Sequence, residues 1–154
     1  MKKNDSMVLY VLLAIGFIFL RSGYGKVSGG EFVGGLEKTL GFFASKNPYP
    51  FVKAFLISTA IPNSEIFGTL TMFGELVIAV SILIPIGYYL FKHSLIPIML
   101  FLLGAGLVGA LFLNGTFWLA SGWTSPSTDS LNLLMVFVET IGLVFIIKEY
   151  KKAK

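Results

Sequence analysis

The chain has 154 residues, 55% hydrophobic and 13% charged, with a mean hydropathy of +0.82 and a formal net charge of +4. This apolar weight lies outside the range of a soluble domain and predicts a single domain, residues 1–154, in a lipid bilayer. With no cysteine and one histidine, the chain alone holds no disulfide, thiolate metal site, iron–sulfur cluster or bis-histidine haem, and basic residues scattered over loops and ends exclude a nucleic-acid face.

Lys2 and Lys3 precede an apolar run from Met7 to Leu20. That run is shorter than the roughly 20 residues a span needs, so the first span is expected to continue through Arg21 to Tyr24, residues 7–24. A cleaved signal peptide is the competing reading of the basic start and of Gly23, Tyr24 and Gly25; Arg21 just before the cleavage position argues against it. Ser28, Gly29 and Gly30 predict a turn and a cap. Phe32, Leu36, Leu40 and Phe43 then recur at helical spacing with Glu37 and Lys38 on other faces, which predicts an amphipathic helix at the interface. Asn47, Pro48, Tyr49 and Pro50 break the chain. The apolar run Phe51 to Ile61, interrupted by Lys53 and stopped by Pro62, is too short to cross and predicts a re-entrant or interfacial helix folded over the outer end of the spans.

The second span is expected over residues 67–91, roughly 37 Å as a helix, against a hydrocarbon core of about 30 Å. Glu75, directly after Gly74, falls about 12 Å along it, too deep to reach bulk water, so it requires an internal partner. Lys92, His93 and Ser94 make a short turn, with His93 a surface residue. The third span, 95–113, is uncharged, and its Ala105 to Gly109 and Gly106 to Ala110 steps permit close helix packing. A loop is expected from Asn114 to Ser130, with Trp118 and Trp123 as interfacial anchors and Ser125, Pro126 and Asp129 as N-cap, first helical position and first-turn acid of the next helix. The fourth span, 131–147, has Glu139 in its centre. The fold class is therefore all-α: an integral membrane four-helix antiparallel bundle with an amphipathic and re-entrant segment between the first and second spans. Lys2, Lys3, Lys92, Lys148, Lys151, Lys152 and Lys154 fall on one side, which places both termini of this cell-membrane protein in the cytoplasm. Arg21, Lys26, Lys38, Lys46 and Lys53 fall on the other, facing either lipid headgroups or an anionic ligand.

Several polar residues share helix faces: Asn132 with Glu139, Thr71 with Glu75, and Phe17 with Arg21. In an antiparallel bundle these faces converge, so Arg21 with Glu75 or Glu139 is expected to form a buried cluster in the outer half. One reading is a salt bridge that fixes helix register. The other is a proton-accepting or quinone-head-binding site, because two-electron reduction of a quinone takes up two protons and a carboxylate at membrane depth relays them. Two carboxylates against one arginine leave one of them protonated or otherwise paired.

Gly16, Phe19, Gly23 and Lys26 resemble the first-helix pattern of the DoxX family, and Gly74 with Glu75 resembles its second-helix Gly-Glu. Gly122 to Pro126, with Asp129 and Asn132, resembles the DoxD branch, the membrane subunit of thiosulfate:quinone oxidoreductase. The family often has an arginine four residues before the first-helix glycine; here Leu12 stands there, and Arg21 sits near the family lysine. The resemblance implies a four-helix membrane protein that works with a DoxA-like partner, takes electrons from thiosulfate, forms tetrathionate and reduces quinone. On that implication Arg21, Lys26, Trp123, Asp129 and Asn132 bind substrate, arginine as a donor fork and lysine as a point charge, and Arg21, Glu75 and Glu139 are catalytic. Quinone is the acceptor, and no haem, iron–sulfur or metal site is evident. Two other classes stay open: a non-catalytic membrane scaffold of a redox complex, and a small anion transporter, the latter weakened by the lack of an inverted repeat.

Overall fold

The computed structural model describes residues 3–152, and side chains from residue 7 onward. Lys2 and Lys154, assigned above to the cytoplasmic side, lie outside the described residues. Six helices follow in order: α1 (Lys3–Gly29), α2 (Phe32–Lys46), α3 (Pro50–Phe55) running into a π-helical turn (Leu56–Ala60), α4 (Ser64–Lys92), α5 (Pro97–Ser121), a 3-10 turn (Gly122–Thr124), and α6 (Pro126–Lys152). Four of them, α1, α4, α5 and α6, are long and apolar enough to cross a membrane, and the shorter helices lie between the first and second. The protein is an all-helical, multi-pass membrane protein.

The spans pack as sequential antiparallel neighbours, α1 on α4, α4 on α5 and α5 on α6, and α6 returns against α1. Each contributes one apolar stripe to a common core: Leu9, Leu12, Ile15 and Phe19 from α1; Ile78, Ile82 and Ile86 from α4; Leu100, Leu103 and Leu107 from α5; Met135 and Ile146 from α6. The opposite faces expose Phe17, Val77, Phe112 and Phe137, as expected where the surrounding medium is hydrocarbon. Of the two small-residue steps in α5, Gly106 to Ala110 is buried at both residues, and a Cβ on Gly106 would lie 2.9 Å from Ser81 Cβ; from the other step, a Cβ on Gly109 would lie 3.1 Å from Ile78 Cγ1. Ala105 stays exposed. With Gly74, Gly106 and Gly109 it lines an apolar groove of about 480 Å³ between α4 and α5.

The helices run past the expected spans, α4 over Ser64–Lys92 and α6 over Pro126–Lys152, and two of the differences bear on the polar residues. Helix α1 continues past Tyr24 to Gly29, and Gly30 makes the turn with φ 69°, a left-handed conformation that glycine adopts without steric penalty. The loop expected from Asn114 to Ser130 is almost entirely helical. Its polar residues do not need water: Asn114 bonds inside the bundle, while the Thr116 and Ser121 hydroxyls donate to the Leu113 and Phe117 carbonyls of their own helix at 2.8 and 2.7 Å.

The segment between α1 and α4 forms a second, smaller core. Leu36, Leu40 and Ala44 line the buried face of α2, four residues apart, and meet Val52, Leu56 and Ala60 of α3 and the π-turn, with Phe67 and Leu119 packed alongside. This is the expected amphipathic helix followed by a short helix that does not cross. Pro50 occupies the first turn of α3, where a missing N–H is harmless. Asn47, between the two helices, latches the segment to α5: its amide donates to the Leu119 and Ala120 carbonyls at 2.7 and 3.2 Å, and its Oδ1 accepts from the Tyr49 N–H at 3.0 Å. These carbonyls belong to the last turn of α5, where backbone acceptors lack intrahelical donors. Asn47→Ala is expected to destabilise by about 1–3 kcal/mol and to loosen this segment from α5. Because the chain has no cysteine, Ala44→Cys reports this cleanly: its labelling should accelerate in the Asn47→Ala background, and equal rates in both backgrounds would contradict the latch.

Candidate polar sites inside the bundle

Three polar centres sit within or at the end of the bundle. The first joins α1 to α4. Ser22 and Lys26, one turn apart on α1, face Glu75: the Lys26 ammonium donates to Glu75 Oε2 at 2.6 Å and to Ser22 Oγ at 2.6 Å. The Glu75 side chain is 3% exposed and that of Lys26 19%, so the carboxylate is enclosed while the lysine stem runs toward the helix end. Gly23 makes the approach possible, since a Cβ there would lie 2.9 Å from Leu76 and 3.2 Å from Glu75 Cβ. The ring of Phe32, the first residue of α2, stands with its centroid 5.1 Å from the ammonium and roofs the pair with a cation–π contact.

The second centre joins α5 to α6. Glu139 is wholly buried, and its Oε1 accepts a 2.6 Å hydrogen bond from the Asn114 amide. Among the described residues its Oε2 is buried without a partner. Gly142, one turn further on the same stripe, seals this region by admitting Leu12 and Leu107.

The third lies at the α5–α6 junction, beside α2 and α3. Ser125 caps α6 by accepting from the Thr128 N–H at 3.2 Å, and Pro126 opens the helix, as its sequence predicts. Asp129 does more than sit in the first turn, because it accepts a 2.6 Å bond from the Trp118 indole N–H. Trp123 packs edge-on against Tyr49 with centroids 5.1 Å apart and lies 5.8 Å from Trp118.

The expected convergence of Arg21 with Glu75 or Glu139 is not what the fold builds. Arg21 is exposed and makes no ion pair among the described residues. At about 100° per residue it lies roughly 140° around α1 from Lys26, so only one of the two can face α4. Lys26 is the cation beside Glu75. The two carboxylates therefore sit in separate centres, Glu75 with a cation and Glu139 with a neutral amide. Asn132 shares the half-buried face of α6 but donates to the Thr128 carbonyl of its own helix at 3.0 Å. Lys38, Lys46 and Lys53 are exposed.

Sequence reasoning missed Ser22 altogether, and it read Asn114 as loop, Trp118 as an anchor only and Asn47 as a chain break. The available signals were the Ser22 to Lys26 spacing of four and the apolar Phe117 to Ala120 run that carries a helix past Asn114.

No protein-family model, curated protein or solved structure matches the chain. The resemblance to the DoxX and DoxD proteins rests on the short motifs quoted above.

Proposed function

We propose that the chain is the membrane subunit of a quinone-linked oxidoreductase that, with a DoxA-like partner, oxidises thiosulfate to tetrathionate. The observation that supports this reading is the Lys26–Glu75 pair, a cation and a carboxylate 2.6 Å apart at the α2 end of the spans, roofed by Phe32. The reaction joins two thiosulfate dianions through a new S–S bond, and their two electrons with two protons convert quinone to quinol. Lys26 offers an ammonium donor to a ligand oxygen, supported by Ser22, and Glu75, released from Lys26 as the ligand arrives, takes up and passes on the protons. Trp123, Asp129 and Asn132 lie at the same end and are proposed to shape the donor side, with exposed Arg21 drawing in the dianion. The basic residues Lys92, Lys148, Lys151 and Lys152 at the opposite end support a cytoplasmic assignment of both termini.

A second reading has a specific observation behind it. The Lys26–Glu75 pair is already satisfied by its own geometry, as a structural pin in a non-catalytic membrane scaffold would be. The experiment that separates the two is reduction of a soluble quinone analogue by the purified protein with thiosulfate, with and without its co-purified partner. Glu75→Gln is expected to lower turnover by about 10²-fold or more, and Arg21→Ala to raise KM for thiosulfate with little change in kcat. Folded protein that reduces no quinone even with the partner present would leave the scaffold reading.

A further inference from the structure

Glu139 stands at the midpoint of α6, thirteen residues from Pro126 and thirteen from Lys152, so about 20 Å of helix separates it from either end. It is 0% exposed, with one oxygen held by Asn114 and the other unpartnered among the described residues. Among the described side chains of the elements packed against α6, none is a charged group paired with Glu139. Helix α5 carries no acidic, basic, tyrosine or histidine residue from Pro97 to Ser121, and the 3-10 turn carries none. On α1, Tyr10, Arg21 and Tyr24 are exposed, and Lys26 is committed to Glu75 of α4. On α6 itself Asp129 is bonded to Trp118, ten residues away, and Lys148 is exposed nine residues away.

An ionised carboxylate in such surroundings would keep a bare oxygen in a low-dielectric core, at a cost of several kcal/mol. A bound proton removes that charge. We propose that Glu139 and Asn114 form a proton-binding site at the centre of the bundle, with the proton on Oε2 and Oε1 held as a carbonyl by the Asn114 amide. The amide fits this role because it donates to a carbonyl without adding a charge of its own. Leu12 and Leu107, packed at Gly142, close one side, so release of the proton requires water or a base to reach Oε2. The site stands without the oxidoreductase reading; only the destination of its proton, a reduced quinone oxygen, rests on that reading.

The test is infrared spectroscopy of the purified full chain in lipid vesicles. Wild type is expected to show the C=O stretch of a protonated carboxylic acid at neutral pH. The band should vanish in Glu139→Gln, persist in Glu75→Gln, and shift in frequency in Asn114→Leu, which deletes the donor to Oε1. No such band in wild type, or a band that survives in Glu139→Gln, would overturn the proposal. Should Glu139→Gln fail to fold, the Asn114→Leu comparison decides: a shifted band supports the site and an unshifted one overturns it. A band that behaves as expected in a protein without quinone activity would remove only the oxidoreductase reading.

Discussion

Lys26→Met is expected to lower the stability of the bundle by about 3–5 kcal/mol, measured by reversible unfolding in mixed micelles. The substitution keeps most of the apolar stem but strands Glu75, whose side chain is 3% exposed and which, among the described residues, takes its side-chain hydrogen bond from Lys26 alone. A buried charge that loses its one partner suffers the desolvation penalty without compensation. Glu75→Gln is expected to cost less, because the Lys26 side chain is 19% exposed and can turn its ammonium toward the helix end. The double variant Lys26→Met with Glu75→Leu should recover most of the loss, since an apolar pair of similar volume replaces a buried ion pair at little cost. Single losses under about 1 kcal/mol that simply add in the double variant would mean that the pair contributes nothing to register.

Gly106→Val should be the most damaging substitution in the spans that leaves every charge untouched, at about 3 kcal/mol. A Cβ at Gly106 would lie 2.9 Å from Ser81 Cβ, 3.2 Å from Ile82 Cγ1 and 3.3 Å from the Ser81 carbonyl carbon. The last of these is backbone and cannot swing aside, so α4 and α5 must separate. In a bilayer, close packing holds helices together more than apolar burial does, because the lipid tails are as apolar as the side chains. Gly106→Ala combined with Ser81→Gly restores room at the same contact and should unfold nearer to wild type than Gly106→Ala alone. If Gly106→Val unfolds at the wild-type midpoint, the seam is not a close contact.

How far the sites were legible depends on where each residue falls along its helix. Glu75 announced its need for a partner, because a carboxylate about 12 Å inside a span has few alternatives. Its partner was misread for a local reason. The first span was expected to end at Tyr24, which put Lys26 in a loop and left Arg21 as the available cation. Once α1 runs to Gly29, Ser22 and Lys26 become neighbours on one face and Arg21 turns outward. Asn114 was hidden in the same way, since a polar residue after an apolar run reads as the start of a loop. Only its bond to Glu139, across 25 residues of sequence, shows why the helix passes through it. The Ser125 and Pro126 start of α6 was fully legible, because a cap is a contact between residues a few positions apart.

By itself the sequence determined the number and approximate extent of the spans, the amphipathic face of α2 and the non-crossing helix after Pro50. These follow from periodicity, run length and the conformational limits of glycine and proline, all of them local properties of the chain. The tertiary structure decided which cation meets Glu75 and which donor meets Glu139. Both depend on the rotation and axial register of one helix against another. Gly16 and Gly23 set how closely α1 approaches α4, while Gly142 sets how α6 settles against Leu12 and Leu107. That register comes from the interlocking of side chains on two separate helices, and no pattern within either helix encodes it.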